Sequence, residues 1–251
     1  MKVERRVHRR VGVALGRHRM AEQGDRILIA VSGGVDSSVL ARVLSEKRAS
    51  LPVEIELLGC RVVTDLAPFD AEAHRGLERF FRDLGVPLAR RDVPVIGRME
   101  GGGDPSCFFC AMQRRRELIR FALESSCNKI AYGHHQDDVI QTLLMNMLYK
   151  AEISTMPARM ELDDHDLVIV RPLCLVPERD VKLYARKFGI EPAEPPCPHA
   201  EGGRRQRVGR LIDELAREHP RIRDNLSASL GRVRRGYLRE KLRENSGGRD
   251  E

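Results

Sequence analysis

An α/β fold, a parallel sheet with helices on both faces, is what this 251-residue sequence predicts. Three observations predict it. Short runs rich in Val, Ile and Leu alternate with helical-period segments of ten or more residues, the pattern of repeated strand and crossover-helix units. The first of these runs, Ile27-Leu28-Ile29-Ala30-Val31, is apolar throughout, as a strand buried on both faces must be. It leads directly into Ser32-Gly33-Gly34-Val35-Asp36-Ser37 and an apolar helix-like stretch, which reads as a strand, a tight turn and a helix start.

Residues 1–22 read as a basic amphipathic helix, with Val3, Val7, Val11 and Leu15 on one stripe. Strand one spans 27–31 and its helix about 37–47. A second strand covers 53–62, a helix 70–84 and a short strand 88–95. Gly101 to Asp104 reads as a flexible loop before a long helix at about 109–125. Residues 129–133 form a fourth strand and about 137–149 the next helix. A fifth strand at 167–172 precedes a helix at 179–188. Pro192, Pro195, Pro196 and Pro198 then break the chain, and 204–243 reads as helical and basic. The implied organisation is an N-terminal helix (1–22), a central domain (23–190), a C-terminal segment (191–243) and a disordered tail (244–251). In parallel sheets the ligand lies at the carboxyl ends of the strands, so the loops starting at Ser32, Cys60 and Gly133 are expected to converge on one crevice.

The net charge is +7, and its excess lies at the two ends, from Lys2 to Arg19 and from Arg204 to Arg239. Arginine concentrated in this way suits a phosphate-rich polymer. Aromatics make up 4% and Trp is absent, which argues against a base-stacking platform. No apolar stretch approaches the length of a membrane span, and the basic N-terminus lacks the apolar segment of a signal peptide. The expectation is a cytoplasmic protein whose six cysteines are not structural disulfides.

Three motifs carry chemistry. The turn at 32–37 places backbone N–H groups at the positive end of a helix, where phosphate binds, and its glycines let an anion approach closely. Ser32 and Ser37 add hydroxyl donors, and Asp36 can cap the helix or hold magnesium. No Gly-Lys-Ser/Thr follows, so this is not a Walker A loop. Five fixed positions at roughly 5–7% background make a chance match about one in a million per window. The second motif, Gly133-His134-His135-Gln136-Asp137-Asp138, follows strand four, where paired aspartates at a helix start can hold Mg²⁺ against phosphate oxygens. The third is Cys107-Phe108-Phe109-Cys110, whose two-residue gap lets both thiolates reach one metal or cluster, with Arg114 one turn further on. Cys197 is a third candidate thiolate, which fits a [4Fe-4S] cluster with one open iron. A Cys₃His zinc site using His199 is the rival reading. Cys60, Cys127 and Cys174 lie in apolar surroundings that suit small buried side chains.

The order and spacing of these motifs resemble the TtcA family, which makes 2-thiocytidine in tRNA. The match runs through Ser32–Ser37, Cys107–Cys110, Arg114-Arg115, Lys129–Asp138, Gln141-Thr142-Leu143, Asn146-Met147, Met156-Pro157, Arg171-Pro172-Leu173 and the stretch from Cys197 to Arg205-Gln206-Arg207-Val208. The resemblance implies a PP-loop domain, adenine nucleotide alpha hydrolase-like and Rossmann-type, flanked by basic helices. It implies ATP held at Ser32, Gly33, Gly34, Val35, Asp36, Ser37, Cys60, Gly133 and His134, with Mg²⁺ on Asp36 and Asp138. It implies a [4Fe-4S] cluster on Cys107, Cys110 and Cys197, and catalysis by these cysteines with Asp36, Asp137, Asp138 and Arg114. Cytidine 32 would be adenylated at its C2 oxygen, and sulfur would then displace AMP. The implied partners are tRNA, a sulfur donor such as a cysteine desulfurase, and a second copy in a homodimer. Many members carry Lys where this chain has Val35, and Cys where it has Glu194. Thiolation of another tRNA base, as 2-thiouridine, and a PP-loop amidating ligase or small-molecule sulfurtransferase are the other readings of the same core.

Overall fold

The computed structural model describes residues 2–66, 69–96, 107–193 and 203–237. Six strands form one sheet: β1 (Asp25–Val31), β2 (Ile55–Thr64), β3 (Leu88–Val93), β4 (Lys129–Ala131), β5 (Arg159–Leu162) and β6 (Leu167–Val170). Their order across the sheet is β3-β2-β1-β4-β6-β5. All neighbours pair parallel except β5, which runs antiparallel to β6. The strands following β1 in sequence build outward on one side, and the later ones build outward on the other. The turns leaving β1 and β4 therefore emerge side by side at the point where strand order reverses, the place where open α/β sheets bind ligands.

Alternation along β1 divides the core between two faces. Ile27, Ile29 and Val31 join a cluster with Val7 and Val11 of α1 (Val3–Arg17), Leu40 and Leu44 of α2 (Val35–Arg48), Phe81 of α3 (Ala71–Asp83) and Tyr184 of α6 (Glu178–Lys187). Leu28 and Ala30 join Cys60, Val62 and Ile130 beneath Leu118 and Ala122 of α4 (Cys107–Glu124). The basic N-terminal helix is thus a structural layer of the domain: Val7, Val11 and Ala14 are fully buried. Its Arg6 grips the buried Asp180 of α6 through two nitrogens. A third, smaller cluster joins Ile140 of α5 (Gln136–Lys150) to Val208 and Ile212 of α7 (Arg204–Glu218). Helix α8 (Ile222–Ser229) supplies Ile222 and Leu226 at its edge.

The structure corrects three expectations. The sheet has a sixth strand, β5, at an antiparallel edge, a common addition to parallel sheets. Strand β2 continues to Thr64, so no loop starts at Cys60. The fourth strand ends at Ala131, so Tyr132 and Gly133 lie in the turn that follows it and not in the strand. The loop at 101–104, Cys197, His199 and the tail at 244–251 lie outside the described residues.

Candidate active site

The turn after β1 adopts its shape through glycine and serine. Gly33 sits at φ +81°, a conformation that favours glycine. Gly34 is the N-cap of α2, and no side chain caps the helix there. The Ser37 hydroxyl donates to the Gly34 carbonyl at 2.9 Å and accepts from the Ser32 N–H at 3.3 Å. Helix α5 begins differently. Its N-terminus is closed by a capping box, in which the Asp138 N–H donates to His135 Nδ1 and the His135 N–H donates to Asp138 Oδ2. Of the two helix starts at the crevice, α2 is the one left open to an anion.

The two turns are pressed together. A Cβ on Gly133 would stand 3.0 Å from the Asp36 carbonyl carbon and 3.1 Å from the Ser37 nitrogen, both backbone atoms. Glycine at 133 is what permits this approach. Beside the contact opens a cavity of about 540 Å³ lined by Ser32, Asp36, Ser37, Arg114, Arg115, Tyr132, Gly133, His134, Asp138 and Arg171 among others. Four buried polar atoms on these residues, Arg114 Nε, Tyr132 Oη, His134 Nδ1 and Arg171 Nε, have no hydrogen-bond partner among the described residues. A cavity wall carrying unsatisfied polar atoms is built for a polar occupant.

The electrostatics agree. The His135 ring lies between two carboxylates, with Nε2 at 3.9 Å from Asp36 and Nδ1 at 3.3 Å from Asp138. Burial, reinforced by the neighbouring charge of Asp138, raises the Asp36 carboxyl above its ordinary range. Burial pushes His134 down to about 4, so it is neutral at pH 7. Its ring stacks on Tyr132 at 17° between planes.

Ser32, Asp36, Ser37, Gly133, His134, Asp138 and Arg114 all line this crevice. Gly33, Gly34 and Val35 shape the turn without lining it, and Val35 packs on the core. Cys60 is fully buried in mid-strand, where desolvation pushes its thiol up to about 12; it belongs to the core, not the crevice. Asp137 is also turned away. Successive helical residues point about 100° apart, and its carboxylate instead accepts from the Glu178 N–H and from Arg223 Nε, at 2.7 and 2.8 Å. Cys107 and Cys110 occupy the first turn of α4, whose next residues, Ala111, Arg114, Arg115 and Leu118, line the crevice. Tyr132, Met156, Ile169 and Arg171, not expected among the site residues, line it too. Their position at or just beyond the ends of β4 and β6 was the available signal for all but Met156.

Comparison with known proteins follows the same lines. The PP-loop domain family matches residues 3–212. A tRNA-cytidine(32) 2-sulfurtransferase of Anaeromyxobacter dehalogenans strain 2CP-C is 36% identical over 242 residues, covering 94% of this chain and 82% of the relative. One from Deinococcus radiodurans is 34% identical, covering 92% of this chain and 77% of the relative. Among solved structures, the U34-tRNA thiolase NcsA from Methanococcus maripaludis with its [4Fe-4S] cluster superposes with a TM-score of 0.78 at 22% identity. That superposition covers 96% of this chain and 82% of NcsA, a likeness of fold.

Proposed function

Because the chain belongs to the PP-loop domain family and, within it, to the tRNA-cytidine(32) 2-sulfurtransferases, we propose that it uses ATP to replace the C2 oxygen of cytidine 32 in tRNA with sulfur. One observation carries the reading. Helix α4 bears the Cys107/Cys110 pair on its first turn and lines the crevice beside the phosphate turn with its next two, so the cysteine pair and the phosphate site lie along one helix.

The residues then take these roles. The open start of α2 and the hydroxyls of Ser32 and Ser37 hold the phosphates of ATP. Arg114, Arg115 and Arg171 supply positive charge on the same cavity wall. Asp36 and Asp138, whose charges oppose each other, would hold Mg²⁺. The cytidine C2 oxygen attacks the α-phosphorus, the bond to the bridging oxygen breaks, and pyrophosphate leaves with its charge stabilised by these donors. AMP is a far better leaving group than the original oxygen, so sulfur can then form a C–S bond at C2 as the C–O bond to AMP breaks. Cys107, Cys110 and Cys197 would hold a [4Fe-4S] cluster, whose open iron would present the incoming sulfur; where the donor is a cysteine desulfurase, its persulfide sulfur would need a two-electron thiol reductant to reach the sulfide level. The i, i+3 placement of the first two cysteines on one helix face fits a shared centre. The exposed arginines of α7, Arg204, Arg207 and Arg210, would meet the tRNA backbone.

The test is nucleoside mass spectrometry of tRNA from a strain lacking 2-thiocytidine, with and without this chain. Appearance of 2-thiocytidine at position 32 is the expected result. Appearance of 2-thiouridine instead, or of no new thionucleoside from anaerobically expressed chain, refutes the assignment.

A further inference from the structure

The phosphate turn of this chain carries a carboxylate and no basic side chain: Ser32, Gly33, Gly34, Val35, Asp36 and Ser37 are neutral apart from Asp36. The triphosphate of ATP bears about four negative charges at neutral pH, and an anionic ligand in a partly desolvated crevice needs cationic partners. Two arginines from the C-terminal helices reach the paired aspartates, and they differ in commitment. Arg223 is shared between two carboxylates: its Nε binds Asp137 and its Nη2 binds Asp213, and 31% of its side chain is exposed. Arg205 touches Asp138 through Nη1 at 2.9 Å and reaches Thr142 only at 3.5 Å, and its side chain is 49% exposed. Among the described residues, most of its five donors are therefore uncommitted.

The Arg205–Asp138 contact is not needed to dock α7. Val208 and Ile212 are buried against Ile140, and Gly209 lies so close to α5 that a Cβ there would stand 3.3 Å from Gln141 Nε2. This packing fixes α7 with Arg205 behind the crevice lining, in contact with Asp138, which lines it. Its charge is close enough to help keep His134 neutral.

We propose that Arg205 is a phosphate ligand delivered to the ATP site by helix α7: it rests on Asp138 in the nucleotide-free chain and moves onto the triphosphate when ATP binds. The inference rests on the ATP-using function proposed above and adds to it a residue 169 positions from Asp36 in sequence. It also makes the helix that presents Arg204, Arg207 and Arg210 to a nucleic acid a contributor to nucleotide binding.

Equilibrium binding of Mg·ATP and of AMP to wild type, Arg205→Ala and Arg205→Lys tests this, with denaturant unfolding of each variant alongside. Loss of charge-assisted bonds to phosphate weakens Mg·ATP binding by about 10- to 100-fold in Arg205→Ala. AMP, which lacks the β- and γ-phosphates, should bind within about twofold of wild type, and Arg205→Lys should recover part of the ATP affinity. ATP affinity of Arg205→Ala within twofold of wild type overturns the inference and leaves the proposed function standing. Equal loss of ATP and AMP binding together with a lower unfolding midpoint overturns it in favour of a purely structural role. Wild type that binds no ATP sinks the proposed function itself.

Discussion

Gly133→Ala adds one methyl group between the two turns that make the crevice. The new Cβ would meet the Asp36 carbonyl carbon at 3.0 Å, its oxygen at 3.1 Å and the Ser37 nitrogen at 3.1 Å. Ordinary contact at such atoms begins near 3.5 Å, so the turns must part by about 0.5 Å. Every clashing atom is backbone, so no side chain can swing aside. Gly133 follows a strand held between β1 and β6, and the displacement therefore falls on the first turn of α2. Overpacking of this kind costs about 2 kcal/mol, or about 4–8 °C in Tm for a chain of this size. Because a 1 Å misplacement costs roughly 100-fold in rate, a shift of half that predicts about a tenfold fall in kcat/KM for ATP. Guanidinium unfolding followed by circular dichroism measures the first effect, since the chain has no Trp. Pyrophosphate release measures the second. Gly189→Ala is the control: its φ is +62° but nothing lies within 4 Å of the added Cβ, so strain of about 1 kcal/mol should come with unchanged ATP kinetics. If Gly133→Ala unfolds within about 0.5 kcal/mol of wild type and turns over ATP normally, the contact between the turns does not set the site.

His134, held near 4 by burial, stays neutral in the native state while the unfolded chain protonates near 6.5. Stability should therefore fall as pH drops from 6.5 to about 4, and His134→Gln should flatten that slope in urea midpoints; an unchanged slope contradicts the assignment. Asp36 is raised, the opposite case for an acid, so its ionisation weakens the native state as pH rises above about 3.8. Asp36→Asn should lose thiolation yet melt no lower than wild type at pH 7, gaining at most about 0.5 kcal/mol at this half-exposed site; a lower Tm contradicts it. Arg223→Ala leaves the Asp137 carboxylate buried without its cation and should cost about 2 kcal/mol in thermal melts, with faster hydrogen exchange in α8. Arg223→Lys should not restore it, because Asp137 and Asp213 are held by different nitrogens of one planar group; a melt within a degree of wild type refutes the clamp.

Much of this molecule is legible locally. The five-residue apolar run ending at Val31, followed by two glycines and a helical stretch, specifies strand, turn and helix without reference to the rest of the chain. The placement of Gly133 and His134 follows from parallel topology alone. What was hidden is nonlocal or orientational. Strand β5, Arg159–Leu162, is short and half polar, and only its antiparallel pairing with β6 makes it a strand. Cys60 was expected at the start of a crevice loop, yet β2 continues through it to Thr64, and even Arg61 is buried there, with His74 Nδ1 at 2.9 Å. Asp137 and Asp138 are chemically identical in sequence. Their difference comes from helices α6, α7 and α8, packed there by residues 41 to 86 positions away. Arg205 could not be paired with Asp138 before the apolar seam between α5 and α7 was known.

The adjacent aspartates separate two kinds of failure within one dipeptide. Variants at Asp137 should lower the amount of folded protein, behave as temperature-sensitive alleles and respond to chaperones or low growth temperature. Asp138→Asn, which keeps an oxygen to accept the His135 N–H of the capping box, should leave abundance normal and remove product at every temperature. A genetic screen scored only by thionucleoside would merge the two classes, whereas one scored by protein level and product together would divide them at a single peptide bond.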